Sequence, residues 1–264
     1  MNFVKMHGLG NDFIVFEKKE LSNKDWSDIA KKVCDRHIGI GADGILIVEE
    51  SNCADIKMTI INSDGSLAEM CGNGLRCFSK YVYEKGIVKK QNFKVETGAG
   101  VLEVILTLEN DNVKTVRVNM GLPIIEEYKK YYKIDVLGRE FEATTMTMGV
   151  PHTIVYVKEI VDEDVIKYGP VIEKLDIFKK GTNVNFVKVI DKNNIKIRTW
   201  ERGAGYTLAC GTGTCASVVA TFINGFTNNK VNAHLKLGEL KITYNNYVFM
   251  EGPAEFVCEG KLLL

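Results

Sequence analysis

Apolar residues alternate with polar ones, or gather in β-branched blocks, over residues 3–7, 13–17, 45–50, 55–61, 93–96, 102–108 and 113–119. The same style returns over 153–157, 183–189, 194–200, 231–237, 241–244, 248–251 and 255–257. Alternation predicts half-covered strands, and unbroken apolar blocks predict strands covered on both faces. Four stretches carry helical spacing instead. Trp26, Ile29, Ala30 and Val33 share one face, with Ser22 or Asn23 as the cap. Asp162 caps a run through Val165 and Ile166, where Gly169-Pro170 predicts a break or kink. Residues 75–85 and 214–224 each stop at a glycine, Gly86 and Gly225, suited to a left-handed C-terminal cap.

Those last two helices begin alike, after Met70-Cys71-Gly72-Asn73-Gly74 and Ala209-Cys210-Gly211-Thr212-Gly213. The offset is 139 residues, about half of the 264-residue chain. It also lays Asn62-Ser63-Asp64-Gly65 over Glu201-Arg202-Gly203-Ala204, and Gly10-Asn11-Asp12-Phe13 over Gly149-Val150-Pro151-His152. Self-similarity of this kind predicts two related lobes with a cleft between them.

Composition removes several classes of function. Lys plus Arg and Asp plus Glu balance at 34 each, so neither a basic nucleic-acid footprint nor an acidic tail is present. No apolar run approaches the roughly 18 residues that a membrane span needs. The opening Met-Asn-Phe-Val-Lys-Met-His-Gly lacks the form of a signal peptide, and the expectation is a cytoplasmic protein whose seven cysteines are reduced.

The repeated Cys-Gly-x-Gly turn carries the chemistry. A cysteine at a helix start meets unpaired backbone N–H groups and the positive end of the helix dipole, which favour thiolate. The following glycines let an anion approach the backbone. One such turn is a generic anion site. Two in a duplicated frame suit inversion at an α-carbon, with a base on one face and an acid on the other exchanging roles. A carboxylate between the two helix starts would be stabilised as charge builds on it, and neither metal nor cofactor is needed.

Competing readings are weaker. Cys34, Cys53, Cys77, Cys215 and Cys258 lack the glycine context and are expected to be small core residues. The Cys71–Cys77 and Cys210–Cys215 spacings suit structural zinc poorly, and Cys-x-x-Cys is absent. Gly39-Ile40-Gly41-Ala42-Asp43-Gly44 fits the dinucleotide fingerprint in letters only, because a helix precedes it and a strand follows. His37 and His234 have no constellation around them and His7 lies in the glycine-rich opening, whereas His152 follows a Gly149-Val150-Pro151 turn that can present its ring to a pocket.

Several longer motifs resemble the diaminopimelate epimerase family of pyridoxal-phosphate-independent amino-acid racemases. They are Lys5-Met6-His7-Gly8-Leu9-Gly10-Asn11-Asp12-Phe13, Arg36-His37-Ile38-Gly39-Ile40-Gly41-Ala42-Asp43-Gly44, Asn62-Ser63-Asp64-Gly65-Ser66 and Ala68-Glu69-Met70-Cys71-Gly72-Asn73-Gly74 with Arg76-Cys77. In the second half, Arg198-Thr199-Trp200-Glu201-Arg202-Gly203 leads to Thr207-Leu208-Ala209-Cys210-Gly211-Thr212-Gly213. The resemblance implies an α/β fold of the α+β type, with two pseudo-symmetric lobes, each a strongly bent mixed sheet around a central helix. Residues 1–115 plus 252–264 would form the lobe with Cys71, residues 116–251 the lobe with Cys210, and the active site would lie between them.

It further implies that Cys71 and Cys210 are the acid/base pair, and that Gly72-Asn73 and Gly211-Thr212 offer backbone N–H groups to the reacting carboxylate. His152 and Glu201 would hold the adjoining amino group, and Asn11, Asn62, Asn183 and Arg202 the far end. The implied reaction is interconversion of LL- and meso-2,6-diaminopimelate without metal or cofactor, by a homodimer whose partner is a small amino acid. The chain departs from the family at Val150, where many members have Asn, and at Gly44, where some have Gln. A racemase for another amino acid, of lanthionine or histidine type, is the nearest alternative; a thiol-based metal or redox protein is the distant one.

Overall fold

The computed structural model describes residues 1–20, 25–125 and 131–263. The chain divides into two compact units, Met1–Asn119 with Gly252–Leu264, and Met120–Glu251. The first unit runs β1 (Asn2–Gly8), β2 (Asn11–Glu17), α1 (Trp26–Val33), β3 (Gly44–Glu49), β4 (Ile56–Asn62), β5 (Leu67–Ala68), α2 (Gly72–Glu84), β6 (Asn92–Thr97), β7 (Gly100–Glu109) and β8 (Asn112–Asn119). The second unit runs β9 (Ile124–Ile125), β10 (Tyr132–Val136), β11 (Arg139–Met148), β12 (Val150–Tyr156), α3 (Asp162–Glu173), β13 (Asn183–Asp191), β14 (Asn194–Glu201), β15 (Gly205–Thr207), α4 (Gly211–Ile223), β16 (Lys230–His234), β17 (Glu239–Asn245) and β18 (Tyr247–Gly252). The last strand, β19 (Glu255–Lys261), returns to pair antiparallel with β1.

The 139-residue offset holds at the level of hydrogen-bond register. It carries Gly72–Glu84 onto Gly211–Ile223 and Asn11–Glu17 onto Val150–Tyr156 without remainder. In the parallel pair β2–β3, Phe13 faces Gly44; in β12–β13, His152 faces Asn183 at the same offset. The copies diverge further on: Ile56 faces Val95 in β4–β6, while Ile195 faces Ala233, one residue short of that register. Strand pairing is mixed in each unit, because the parallel β2–β3 and β12–β13 pairs sit among antiparallel neighbours.

Burial explains why the elements form. Strands β2 and β3 are buried on both faces, as their unbroken apolar blocks predict. On one side Ile29, Ala30 and Val33 of α1 pack on Ile14, Phe16, Ile45 and Ile47. On the other lies α2, buried at every position from Gly72 to Val82 and touching β1, β2, β3, β4 and β8. Helix α4 is enclosed in the same way by β11, β12, β13, β14, β16 and β17. Helices this enclosed are central helices of wrapped sheets, and their N-terminal turns are thereby fixed. The α2 cations reach carbonyl oxygens: Arg76 Nε donates to Pro253 O at 3.0 Å, and Lys80 Nζ to Val113 O at 3.0 Å.

Some local expectations need correction. Ser22 and Asn23 lie outside the described residues; Asp25 caps α1, accepting from Ser27 N at 2.8 Å. Asp162 is the first residue of α3 rather than its cap, its carboxylate being engaged by Lys236 at 2.9 Å. The helix continues through Gly169-Pro170 to Glu173. Gly169 lies so close to Trp200 that a Cβ there would meet its Cβ and Cγ at 2.6 Å. With Val165, Tyr168 and Ile172 also buried, packing outweighs the roughly 3 kcal/mol that an interior proline costs. Cys34, Cys77 and Cys215 are buried as expected, but Cys53 and Cys258 are exposed. Cys53 hydrogen-bonds the Glu96 carboxylate at 3.5 Å, and Cys258 lies on β19, exposed along its whole length. No helix among the described residues is long and apolar enough to cross a membrane.

Candidate active site

Both cysteines of the repeated turn are helix N-caps with extended backbone, Cys71 at φ −141°, ψ 116° and Cys210 at φ −116°, ψ 106°. Each Sγ accepts from the third amide of its helix, Gly74 N and Gly213 N, at 3.4 Å in both cases. A thiol thus takes the place that a serine or aspartate side chain usually fills at a helix start. The N–H groups of Gly72-Asn73 and Gly211-Thr212 open the two helices beside it.

Around Cys71 the polar side chains form a chain with a fixed direction. Arg76 Nη1 donates to Asn73 Oδ1 at 2.8 Å, Asn73 Nδ2 to Asn11 Oδ1 at 3.1 Å, and Asn11 Nδ2 to Asp43 Oδ2 at 2.7 Å. A guanidinium only donates and an ionised carboxylate only accepts, so these two ends settle which way both amides point. Asn11 therefore turns its oxygen to Cys71, and the thiol donates to it at 3.5 Å. Arg36 grips Asp12 at 2.8 Å and Asp43 at 2.9 Å, holding the acceptor end. Burial raises Asp12, but hydrogen bonds from Arg36 and Lys5 outweigh it and keep that carboxyl below its ordinary value. Asn62 stands at the end of β4 with its Nδ2 on Ser66 Oγ at 3.0 Å. The neighbouring Gly44 leaves no room for a side chain, since a Cβ would lie 2.7 Å from Ile61 O.

The surroundings of Cys210 differ. Glu201 takes the position that Asn62 takes in the first unit, and its Oε1 accepts from Thr207 Oγ1 at 2.5 Å. Burial pushes the Cys210 thiol well above its ordinary value; the Glu201 carboxylate adds to this, outweighing the Thr212 hydroxyl and the Gly213 N–H. The expectation that a helix start makes each cysteine a ready thiolate is therefore corrected for Cys210. The dipole supplies about 1 kcal/mol, whereas full burial shifts a pKa by as much as about 3–5 units.

His152, 1% exposed, sits on β12 opposite Asn183, whose Oδ1 accepts from Arg202 N at 2.8 Å. The Arg202 guanidinium itself is held by Lys180 O. Thr212 lies within 3.6 Å of the Cys210 sulfur. Val150, at the start of β12, is exposed at the position matching Asn11. The structure thus gathers Asn11 and Asn73 at Cys71, and Thr212 and Glu201 at Cys210, while Asn183 and Arg202 form their own contact beside His152.

Two contributors were not singled out from the sequence. Asn185 is fully buried, with Nδ2 at 3.2 Å from His152 Nδ1 and Oδ1 accepting from Thr199 Oγ1 at 3.0 Å. The available signal was an asparagine set between the apolar Val184 and Phe186 of a strand-like run. The other is the Arg36–Asp12–Asp43 cluster, whose members lie within matched motifs but interact across 24 and 31 residues of chain. Among the described residues no group of three His, Cys, Asp or Glu is placed to hold a metal ion.

Known proteins can now be set beside this geometry. Solved structures share the fold at low sequence identity. A probable proline racemase from Agrobacterium radiobacter K84 aligns with TM-score 0.76 at 15% identity, over 100% of this chain and 93% of its own. A hydroxyproline epimerase from Agrobacterium vitis aligns with TM-score 0.77 at 14% identity, over 98% and 91%. Sequence relatives are nearer. The diaminopimelate epimerase of Clostridium perfringens is 51% identical over 275 residues, covering 100% of both chains. That of Caldanaerobacter subterraneus subsp. tengcongensis is 50% identical over 274 residues, covering 99% of each. The diaminopimelate epimerase family profile matches residues 3–125 and 144–257, which takes in both cysteine-capped helices. With that match spanning both copies of the repeat, the chain belongs to the diaminopimelate epimerase family.

Proposed function

We propose that this chain interconverts LL- and meso-2,6-diaminopimelate by moving the α-proton between Cys71 and Cys210, each serving one face of the carbon. The observation that carries this reading is the duplicated cap: two thiols in one hydrogen-bonded geometry, 139 residues apart, in a chain of this family. One cysteine must enter the step as thiolate and the other as thiol. The buried Cys210, which holds its proton tightly, suits the acid when Cys71 is the base. The C–H bond breaks toward the thiolate, its electron pair spreads into the adjoining carboxylate, and the opposite thiol returns a proton to carbon. The amides of Gly72-Asn73 and Gly211-Thr212 stabilise the carboxylate as its charge grows. The Glu201 carboxylate takes the α-ammonium, and Asn11, Asn62, Asn183 and Arg202 bind the distal end, where an arginine fork matches a carboxylate. This chemistry requires no cofactor. The proposal includes a cytoplasmic homodimer feeding lysine and peptidoglycan precursor synthesis; sedimentation at micromolar concentration tests the dimer.

The decisive experiment follows α-proton exchange in heavy water by NMR, offering diaminopimelate, lanthionine and histidine separately. Exchange with inversion for diaminopimelate, lost in Cys71→Ala and Cys210→Ala, is the expected result. Exchange with another amino acid alone would keep the two-thiol chemistry and assign a different substrate, with Val150 and Gly44 the first places to look.

A further inference from the structure

The tautomer of His152 is legible from its neighbours. Asn185 Nδ2 lies 3.4 Å from Thr153 O and 3.2 Å from His152 Nδ1. A backbone carbonyl can only accept, so the NH₂ end of Asn185 must face it, and the same NH₂ donates its other hydrogen to His152. The Thr199 hydroxyl completes the arrangement by donating to Asn185 Oδ1 at 3.0 Å. His152 Nδ1 is thus an acceptor, and the ring's single proton resides on Nε2. Burial, reinforced by the Arg202 charge, lowers the pKa of His152 to about 3, so the ring is neutral at working pH. Nε2 is itself buried and has no hydrogen-bond partner among the described residues. A buried N–H left in that condition has given up its hydration with nothing in return, which a structural histidine would avoid. The network also reaches the start of α4, for Asn185 Oδ1 lies 2.2 Å from where a Cβ on Gly213 would sit.

We infer that His152 acts through Nε2–H as a neutral donor to an oxygen of the substrate's reacting carboxylate, an assignment that rests on the proposed reaction and deepens it. An N–H carries no lone pair for an ammonium, so the ring does not take the amino-group role implied by the family resemblance. When the α-C–H bond breaks, its electron pair moves into the carboxylate, whose oxygens gain charge. A neutral N–H then forms a stronger hydrogen bond in the transition state than in the ground state, and His152 keeps its proton throughout. The anchored Asn185 fixes the ring in advance, which is the condition for such a donor to act.

Two measurements test this. In protein carrying ¹⁵N-labelled histidine, with His152→Gln used for assignment, His152 should show a protonated Nε2 and a bare Nδ1, unchanged from pH 8 to pH 5. An Nδ1–H ring, or an imidazolium within that range, would overturn the inference. In the exchange assay, His152→Leu should lower kcat on the order of a hundredfold with a smaller change in KM. His152→Gln, which restores an N–H, should recover about tenfold of that loss; equal loss in both folded variants would overturn the donor role. The tautomer is read without substrate. A wild-type protein that exchanged no diaminopimelate proton would therefore count against the proposed substrate, while the wrong tautomer would count against His152 alone.

Discussion

At the scale of single residues, the two cysteines share one backbone geometry but not one environment. Cys71 faces an amide oxygen whose direction is imposed by Arg76 at one end and Asp43 at the other. Replacing Asp43 with Asn puts a donor where the chain must end in an acceptor, so Asn11 is no longer compelled to offer its oxygen. The neutral Cys71 thiol then loses a hydrogen bond worth about 1 kcal/mol. Asp43→Asn should speed iodoacetamide labelling of Cys71 by about three- to tenfold at neutral pH, with Cys210 labelling unchanged, as peptide mass spectrometry would show. An unchanged Cys71 rate would mean the amide order is held by other contacts. His152 gives a second expectation. Its pKa falls from 6.5 to about 3 on folding, through burial and then Arg202. A depressed value means that this contribution to stability is complete above about pH 6.5 and is lost as pH falls toward 3. The slope should approach about 1.4 kcal/mol per pH unit, and about 5 kcal/mol in all. Urea unfolding between pH 7 and pH 4 should show the wild type losing stability more steeply than His152→Gln by about that slope, the lowered carboxylates such as Asp12 acting equally in both.

Among the elements, α2 and α4 show how duplicated helices tolerate different change. A Cβ on Gly74 would meet the flexible ends of Leu46 and Phe13 at 3.2 and 3.3 Å, where small shifts suffice. A Cβ on Gly213 would meet Asn185 Oδ1 at 2.2 Å, and Asn185 is anchored on three sides. Because alanine favours a helix over glycine by up to about 1 kcal/mol, Gly74→Ala should leave stability nearly unchanged. Gly213→Ala should lose about 1–3 kcal/mol, measurable by urea unfolding, and should displace His152 as well. What the sequence made legible follows the same division. The helix starts could be read because cysteine, glycine and register are local signals. The β10–β11 hairpin, absent from the expected strands, carried a local signal too, for buried Ile134, Val136, Phe141 and Ala143 alternate with exposed charged residues on either side of Leu137-Gly138. Asn185 stayed hidden because its partners come from 14 and 33 residues away, and the α3 proline misled because Trp200 supplies the packing that keeps the helix intact.

The whole molecule is a duplicated unit with one asymmetry in its chain path. In the second unit β10 flanks β11 and precedes it directly, whereas in the first the matching strand β1 is flanked by β19 from the far end of the chain. The return of the C-terminus also brings Pro253 O to the guanidinium of Arg76, which is fully buried on the helix that begins at Cys71. The C-terminal residues are mostly exposed, so removing them forfeits little apolar burial. Their loss would instead open the edge of β1 and take an acceptor from a buried cation, a defect of about 3 kcal/mol. A chain ending at Gly252 should therefore lose hydrogen-exchange protection in β1 and α2, while α4, whose packing lies within its own unit, keeps its protection. Such a chain should also label faster at Cys71, because Arg76 no longer holds Asn73 in place. Equal loss of protection in both central helices would show instead that the two units unfold as one, and that the last strand guards the entire molecule rather than the Cys71 helix.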